Sequence, residues 1–218
     1  MRAIIVTPWD IKRGWDNPGR CTLEWQLARW TVFRERTLRS IRTQTYRDVD
    51  GWLVSAPANR ELHESLPGYD DIAPFRWVFD KQGESAAQPE PFFACRLDSD
   101  DMYGPDAVEL MVRESAMLSD DERFVQLVTG IAHNESGTLL RWQAKSPPFY
   151  GRIWQPGDGM EFGNHSHVWR YSRRIATDQP MFCVTIHGAN STTSDRSSSL
   201  GPQLSPTEQA AARHRFGL

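Results

Sequence analysis

Two short apolar runs separated by one amphipathic stretch do most to limit how this chain folds. Ala3-Ile4-Ile5-Val6 is largely β-branched and shows no polar alternation, which marks a strand buried on both faces. Thr7-Pro8-Trp9-Asp10 ends it, and a loop containing glycine, proline and asparagine runs on to about Cys21. Thr22 then stands as a helix N-cap; Trp25 occupies the third helical position, so no capping box forms. Leu23, Leu27, Trp30, Leu38 and Ile41 recur at helical spacing, and the helix is expected to end near Gln44-Thr45. Gly51-Trp52-Leu53-Val54, stopped by Ser55-Ala56-Pro57, is a second buried strand. Strand, helix and strand within about fifty residues form a βαβ unit, which favours a parallel sheet.

Further along, residues 61–66 read as a short helix, 75–79 as a strand and 81–91 as a loop. Phe92-Phe93-Ala94-Cys95-Arg96-Leu97 is the third clear strand. Gly104-Pro105 is expected to open a helix with proline at its first position, where a missing N–H costs nothing. Ala107, Leu110, Met111, Met117 and Leu118 would form the buried side of that helix. Residues 124–131 and 139–143 read as a hairpin around Asn134-Glu135-Ser136-Gly137, and 181–186 as the last strand. The expected fold is α/β: a Rossmann-type mixed, mainly parallel sheet flanked by helices, with a small hairpin, over residues 1–190. Residues 191–218, rich in Ser and Thr, read as a flexible tail with a short helix over 207–215.

Composition excludes some functions. The net charge is −3, so no overall basic field is available for non-specific nucleic-acid binding. Arg29, Arg34, Arg36, Arg39 and Arg42 crowd one helix and read mainly as a solvated face. Cys21, Cys95 and Cys183 share no CxxC spacing, which argues against a cysteine zinc site; the latter two read as small core residues. Met1–Ile5 is too short for a signal peptide, and no run approaches the roughly 18 apolar residues of a membrane span. A soluble, cytoplasmic protein is expected.

The chemistry concentrates in Arg96-Leu97-Asp98-Ser99-Asp100-Asp101, three carboxylates within four residues at the end of an apolar strand. In an open α/β sheet that end is where ligands bind. Carboxylates this close repel one another unless a cation or strong donors sit among them. Hard oxygen donors suit Mg²⁺ or Mn²⁺, and Mg²⁺ commonly shares its shell with substrate phosphates. The bland reading is an acidic turn that stabilises the N-terminus of the following helix. An EF-hand fails, because Met102 and Tyr103 fall at the fifth and sixth loop positions. A haloacid-dehalogenase-like phosphatase would carry such a motif after its first strand, not its third or fourth.

At this point the chain resembles the rhamnosyltransferase family, a family-2-like branch of the GT-A glycosyltransferases. Three segments carry the likeness: residues 36–45 followed by Trp52-Leu53-Val54, the arginine-preceded acidic motif at 96–101, and Ile186-His187-Gly188-Ala189-Asn190-Ser191. The resemblance implies a nucleotide-sugar donor, a divalent cation (Mn²⁺ or Mg²⁺), and a GT-A-like sheet. By that likeness Asp100 would bind the cation directly. Asp98 would contact the donor ribose or a metal-bound water, Asp101 would be a further ligand, and His187 a C-terminal one. Thr7, Pro8 and Asp10 would touch the nucleotide, and Arg96 would pair with an acid or a phosphate. The family's usual aspartate after the second strand is replaced by Ser55-Ala56-Pro57. Asp158, Glu161 and His165, in or beside a glycine-rich loop, are candidates for the general base that an inverting transferase needs. The acceptor is open among polysaccharide, small molecule, protein and modified nucleic acid. Two rival classes remain: a metal-dependent phosphohydrolase, and a non-catalytic sugar- or partner-binding domain in which Trp142, Trp154 and Trp169 stack on sugars.

Overall fold

The computed structural model describes residues 1–9, 22–143, 145–162, 165–186 and 199–218. Four strands run parallel in the order β3-β2-β1-β4: β1 (Ala3–Pro8), β2 (Val49–Val54), β3 (Phe75–Val78) and β4 (Phe92–Arg96). Beyond β4 the sheet turns mixed. β9 (Tyr150–Trp154) is antiparallel to β4 and to β6 (Phe124–Leu127), and β10 (Ser172–Ile175) lies parallel to β6 at the edge. The result is a mixed, mainly parallel sheet of seven strands, as expected. Its strands are apolar on both faces for a simple reason. Ala3 and Ile5 of β1 pack in one core with Phe93 and Cys95, while Ile4 and Val6 pack in a second with Phe92 and Ala94 on the other side.

A second sheet holds five strands in the order β12-β8-β7-β11-β5: β5 (Met102–Tyr103), β7 (Gly130–Asn134), β8 (Leu139–Trp142), β11 (Phe182–Ile186) and β12 (Leu200–Gln203). Its existence changes several expectations. The apolar run over 124–131 is two strands in two sheets, broken at 128–129, and only β7 makes the hairpin with β8. Residues 181–186 are followed by a further strand. The helix expected over 207–215 is α7 (Pro206–Phe216); it starts at a capping box between Ser205 and Glu208 and ends at Gly217 with φ 64°. Ala212 and Phe216 pack against Met102, Ile131 and Cys183 of the second sheet, so this helix is docked.

Other boundaries move for local reasons. The short helix expected over 61–66 is α3 (Arg60–Glu64), and Lys81–Ala86 is a helix (α4) rather than a loop, because the Asp80 side chain accepts from the Gly83 N–H and caps it. The helix after the acidic motif, α5 (Ala107–Ser115), has Asp106 as its N-cap, so Pro105 precedes it rather than opening it. Met117 falls beyond α5 and is 58% exposed. The first helix, α1 (Leu23–Val32), begins with the Thr22 hydroxyl accepting from Trp25 N–H at 3.2 Å. It continues through a π-helical stretch, Phe33–Leu38, into α2 (Arg39–Arg42). A π turn inserts a residue and shifts the phase of the stripe. Trp30, Phe33, Leu38 and Ile41 are buried, but Leu23 and Leu27 are exposed, and Gln26 is buried in their stead.

The arginines of this helix form a solvated face only in part: Arg39 and Arg42 are exposed, while Arg29, Arg34 and Arg36 are half-buried. Arg34 and Arg42 both pair with Asp71, Arg39 donates to the Phe216 and Gly217 carbonyls, and Arg29 and Arg36 reach the acidic motif and the second sheet. Gln44 is 2% exposed and joins helix to helix. Its Nε2 donates to the Ser40 and Gly104 carbonyls, and its Oε1 accepts from Val108 N–H. Both described cysteines, Cys95 and Cys183, are buried free thiols, as expected. Among the described residues no helix is long and apolar enough to cross a membrane.

Gly151 is a tight point of the central sheet. It pairs with Cys95 on one side and Val125 on the other, and a Cβ there would lie 2.7 Å from the Ala94 carbonyl oxygen and 2.5 Å from the Phe93 ring. Gly151→Ala is expected to destabilise the protein by about 1–3 kcal/mol, lowering Tm by roughly 2–12 °C. Thermal unfolding followed by circular dichroism measures this; an unchanged Tm would show that the strands can part without cost.

Candidate functional site

The order of the parallel strands defines a crevice. From β1 the chain steps outward through β2 and β3, then returns to place β4 on the other side of β1. Such a reversal opens a gap beyond the carboxyl ends of the two central strands, where α/β proteins bind ligands. The acidic motif stands at this gap: Leu97 N–H donates to the Val6 carbonyl at 3.1 Å, directly before Thr7 and Pro8. Thr7 is fully buried, and its hydroxyl has no hydrogen-bond partner among the described residues. Asp10 lies outside the described residues.

The motif is also a corner. β4 belongs to the first sheet and β5 to the second, so residues 97–101 carry the chain from one to the other. Three groups hold the corner: the Tyr103 hydroxyl, the Asp101 N–H and the Thr37 hydroxyl. The Tyr103 hydroxyl donates back to the Arg96 carbonyl at 2.7 Å, closing the loop on itself. The Asp101 N–H donates to the Asp98 carbonyl at 3.1 Å. The buried Thr37 hydroxyl, from the π-helical stretch, reaches the Asp101 carbonyl at 2.8 Å and the Asp98 carbonyl at 3.4 Å.

Each carboxylate has a different partner. Arg96 donates through Nε and Nη2 to Asp98 Oδ1 at 3.1 and 3.0 Å, and Asp98 raises the Arg96 pKa despite its burial. Arg29 donates to both oxygens of Asp100, at 3.2 and 3.4 Å, and through Nε to Ser99 Oγ at 2.7 Å. Asp101 Oδ1 accepts from the Thr185 N–H of β11 at 2.9 Å. Asp100 and Asp101 are only 4% and 1% exposed. Thus Arg96 pairs with a neighbouring acid, as one of its two expected roles required.

The set of donors decides how well a cation fits. Oxygen ligands are the right kind for Mg²⁺ or Mn²⁺. Their arrangement is not a cage: among the described residues no group of three or more His, Cys, Asp and Glu side chains converges. The expected ligand His187, and the residues after it in the resembling segment, lie outside the described residues.

The glycine-rich loop is placed on the same face as the Arg96 side chain. Met160 packs with Phe92, Ala94 and Trp154, and Phe162 lies 5.8 Å from the Tyr150 ring, which hydrogen-bonds Arg96. Asp158 turns inward on its own loop, accepting from Gln155 N–H at 3.2 Å, and its carbonyl accepts from Ser85 Oγ at 2.9 Å. Glu161 is exposed. Neither carboxylate makes a hydrogen bond or ion pair with the acidic corner. His165 opens α6 (His165–Val168), and its side chain lies outside what is described. Trp154 belongs to the core, while the Trp169 ring is covered by Lys145 at 3.7 Å.

Sequence reasoning missed the partners: Arg29, Thr37, Tyr150 and Thr185. Arg36 and His133 complete the neighbourhood. Arg36 Nη1 lies 2.8 Å from His133 Nδ1 and 3.5 Å from Thr185 Oγ1. Because an arginine can only donate, Nδ1 accepts and the imidazole is neutral. Burial first, then Arg36 and Arg213, push the His133 pKa down to about 4 from 6.5. Two cavities of about 600 and 610 Å³ lie elsewhere, one beneath α7 and one along the outer edge of β3, and neither is lined by the acidic corner.

No family model matches the sequence and no curated protein does, so the family resemblance goes no further than the three segments that carry it. Among solved structures the chain is similar to S. aureus TarS 1-349, at 12% identity and TM-score 0.44, covering 85% of this chain and 60% of that one. It is likewise similar to S. aureus TarS at 10% identity and TM-score 0.41, covering 85% and 37%. The chain therefore spans less than two thirds of either length, and at TM-scores this low neither likeness carries an argument.

Thr37→Val keeps the shape of the side chain and removes the hydroxyl. The Asp101 carbonyl then loses its donor, which is expected to cost about 1–3 kcal/mol in chemical unfolding; a loss below about 0.5 kcal/mol would mean that the hydroxyl does not hold the corner. A histidine held neutral in the fold is protonated sooner in the unfolded chain. Stability is therefore fully present above pH 6.5, falls as pH drops, and is lost through about pH 4. In His133→Gln that part of the stability profile, measured by urea unfolding, should be flatter than in wild type.

Proposed function

We propose that this chain transfers a glycosyl group from a nucleotide-sugar donor to a hydroxyl acceptor, with the donor diphosphate at the acidic corner. The observation that carries the reading is the placing of residues 98–101 beside the end of β1, at the crevice where strand order reverses. The three resembling segments add support, and so does the buried Thr7 hydroxyl at the same strand end, which has no partner among the described residues.

In this reading Thr7 and Pro8 border the nucleotide. The diphosphate needs positive charge near its bridging oxygen, because the leaving nucleoside diphosphate gains charge as the glycosidic bond breaks. The cation expected for this is Mg²⁺ or Mn²⁺, which would act as a Lewis acid when bound. The described side chains do not form its cage, so no step of the mechanism passes through it. The guanidinium groups of Arg29 and Arg96 are the positive charges already present among the carboxylates. The acceptor proton passes to a base on the glycine-rich loop, for which Asp158, Glu161 and His165 are the candidates. Met160 and Phe162 support this by anchoring the loop on the face of Arg96.

Thermal shift tests the proposal. With 1 mM Mn²⁺ or Mg²⁺ present, about 100 Kd of the right nucleoside diphosphate or nucleotide sugar should add about 2.7 kcal/mol, raising Tm by roughly 5–11 °C. Asp100→Asn should lose most of that shift. A folded protein that responds to no nucleotide overturns the reading. Release of inorganic phosphate without an acceptor would move the assignment to a phosphohydrolase.

A further inference from the structure

Arg29 is bound to the acidic corner through all three of its nitrogens. Nε donates to Ser99 Oγ at 2.7 Å, Nη1 to Asp100 Oδ2 at 3.2 Å and Nη2 to Asp100 Oδ1 at 3.4 Å. This is the two-pronged guanidinium–carboxylate pairing that is both directional and strong. It is also nearly closed to water, with the two side chains 15% and 5% exposed. The Trp25 ring lies 5.8 Å from the guanidinium carbon and limits where the head group can swing.

Asp100 is the carboxylate expected to bind a divalent cation directly. Arg29 occupies one lone pair on each Asp100 oxygen, and its own charge repels any cation brought to the same oxygens. Arg96 does the same at Asp98. Two of the three carboxylates of the corner thus already have guanidinium counter-ions. An arginine has five N–H donors; Arg29 spends three, which leaves two for an anion. Guanidinium pairs with phosphate as readily as with carboxylate.

We propose that Arg29 takes the place of the divalent cation at this corner, so that the chain binds nucleoside diphosphates through a guanidinium and without metal. The inference rests on the reading of the corner as a diphosphate site. It assigns Arg29 as a binding residue and makes Asp100 its positioning partner rather than a metal ligand.

Isothermal titration calorimetry with UDP, GDP and dTDP, each in EDTA and in Mn²⁺, separates the cases. Wild type should bind one of them in EDTA with a Kd within about threefold of its value in Mn²⁺. Arg29→Gln should weaken binding in EDTA by about tenfold or more, and Mn²⁺ should restore part of it, because Asp100 has lost its guanidinium. Arg29→Gln takes a guanidinium away from a buried carboxylate and threatens the fold. The Arg29→Gln/Asp100→Asn pair, which removes both charges, is therefore measured beside it and should bind in neither condition. Wild-type binding that requires Mn²⁺, or binding in EDTA that survives both variants, overturns the inference while leaving the diphosphate site standing. Absence of binding under every condition overturns both.

Discussion

Three carboxylates share one corner between two sheets, and the rest of the structure is arranged so that they tolerate each other. Two of them are almost fully buried. A buried carboxylate without a partner would shift its pKa and neutralise, or cost several kcal/mol. Here each is answered from a different direction: by a strand neighbour, by the first helix and by the backbone of β11. The helix that runs from α1 through the π stretch into α2 is the brace. It supplies a guanidinium from its first half and a hydroxyl from its middle, and its end is fastened to α5 through Gln44. The π turn has a physical use in this setting, since it rotates the second half so that Thr37 faces the corner while Phe33 and Leu38 face the core.

The parallel half of the fold was legible because its signals are local. Continuous β-branched runs, a helical stripe and a proline stop need only a dozen residues to be read, and β1, α1, β2 and β4 all appear where such patterns lie. The second sheet was not legible. Residues 124–131 form one apolar run, and nothing in the pattern shows that its halves belong to different sheets; the break at Val128-Thr129 is imposed by β11, which pairs with Gly130 onward. The helix at 81–86 hid because its glycine and polar residues carry no stripe, and one capping aspartate decides it.

The candidate site shows the same division. The acids stand together in sequence and were visible at once. Apart from Arg96, their partners are 61 to 84 positions away in the chain, and no spacing rule connects Thr37, Arg29 or Thr185 to a motif so distant. The arginines looked like one basic face because helical periodicity shows what shares a side, not what that side meets. The tryptophans looked like sugar platforms for a similar reason. Trp154 instead packs in the core with Phe92, and Trp142 stands edge-on to Phe182 with ring centroids 6.5 Å apart. The loop with Asp158 and Glu161 was found by its glycines, but its hold on the sheet comes from Met160 and Phe162.

The Thr185 bond has a consequence for how the protein is made. Asp101 and Thr185 are separated by 84 residues, so the corner leaves the ribosome well before the strand that completes it. At about 5–20 residues per second that interval is roughly 4–17 s. Through it the β1–β4 half can pair, since its parallel strands and the first helix are already present, but the Asp101 carboxylate has no β11 amide to accept from. Any half-sheet assembled before β11 emerges would carry the Asp101 carboxylate without the β11 amide, and translation speed sets the length of that interval.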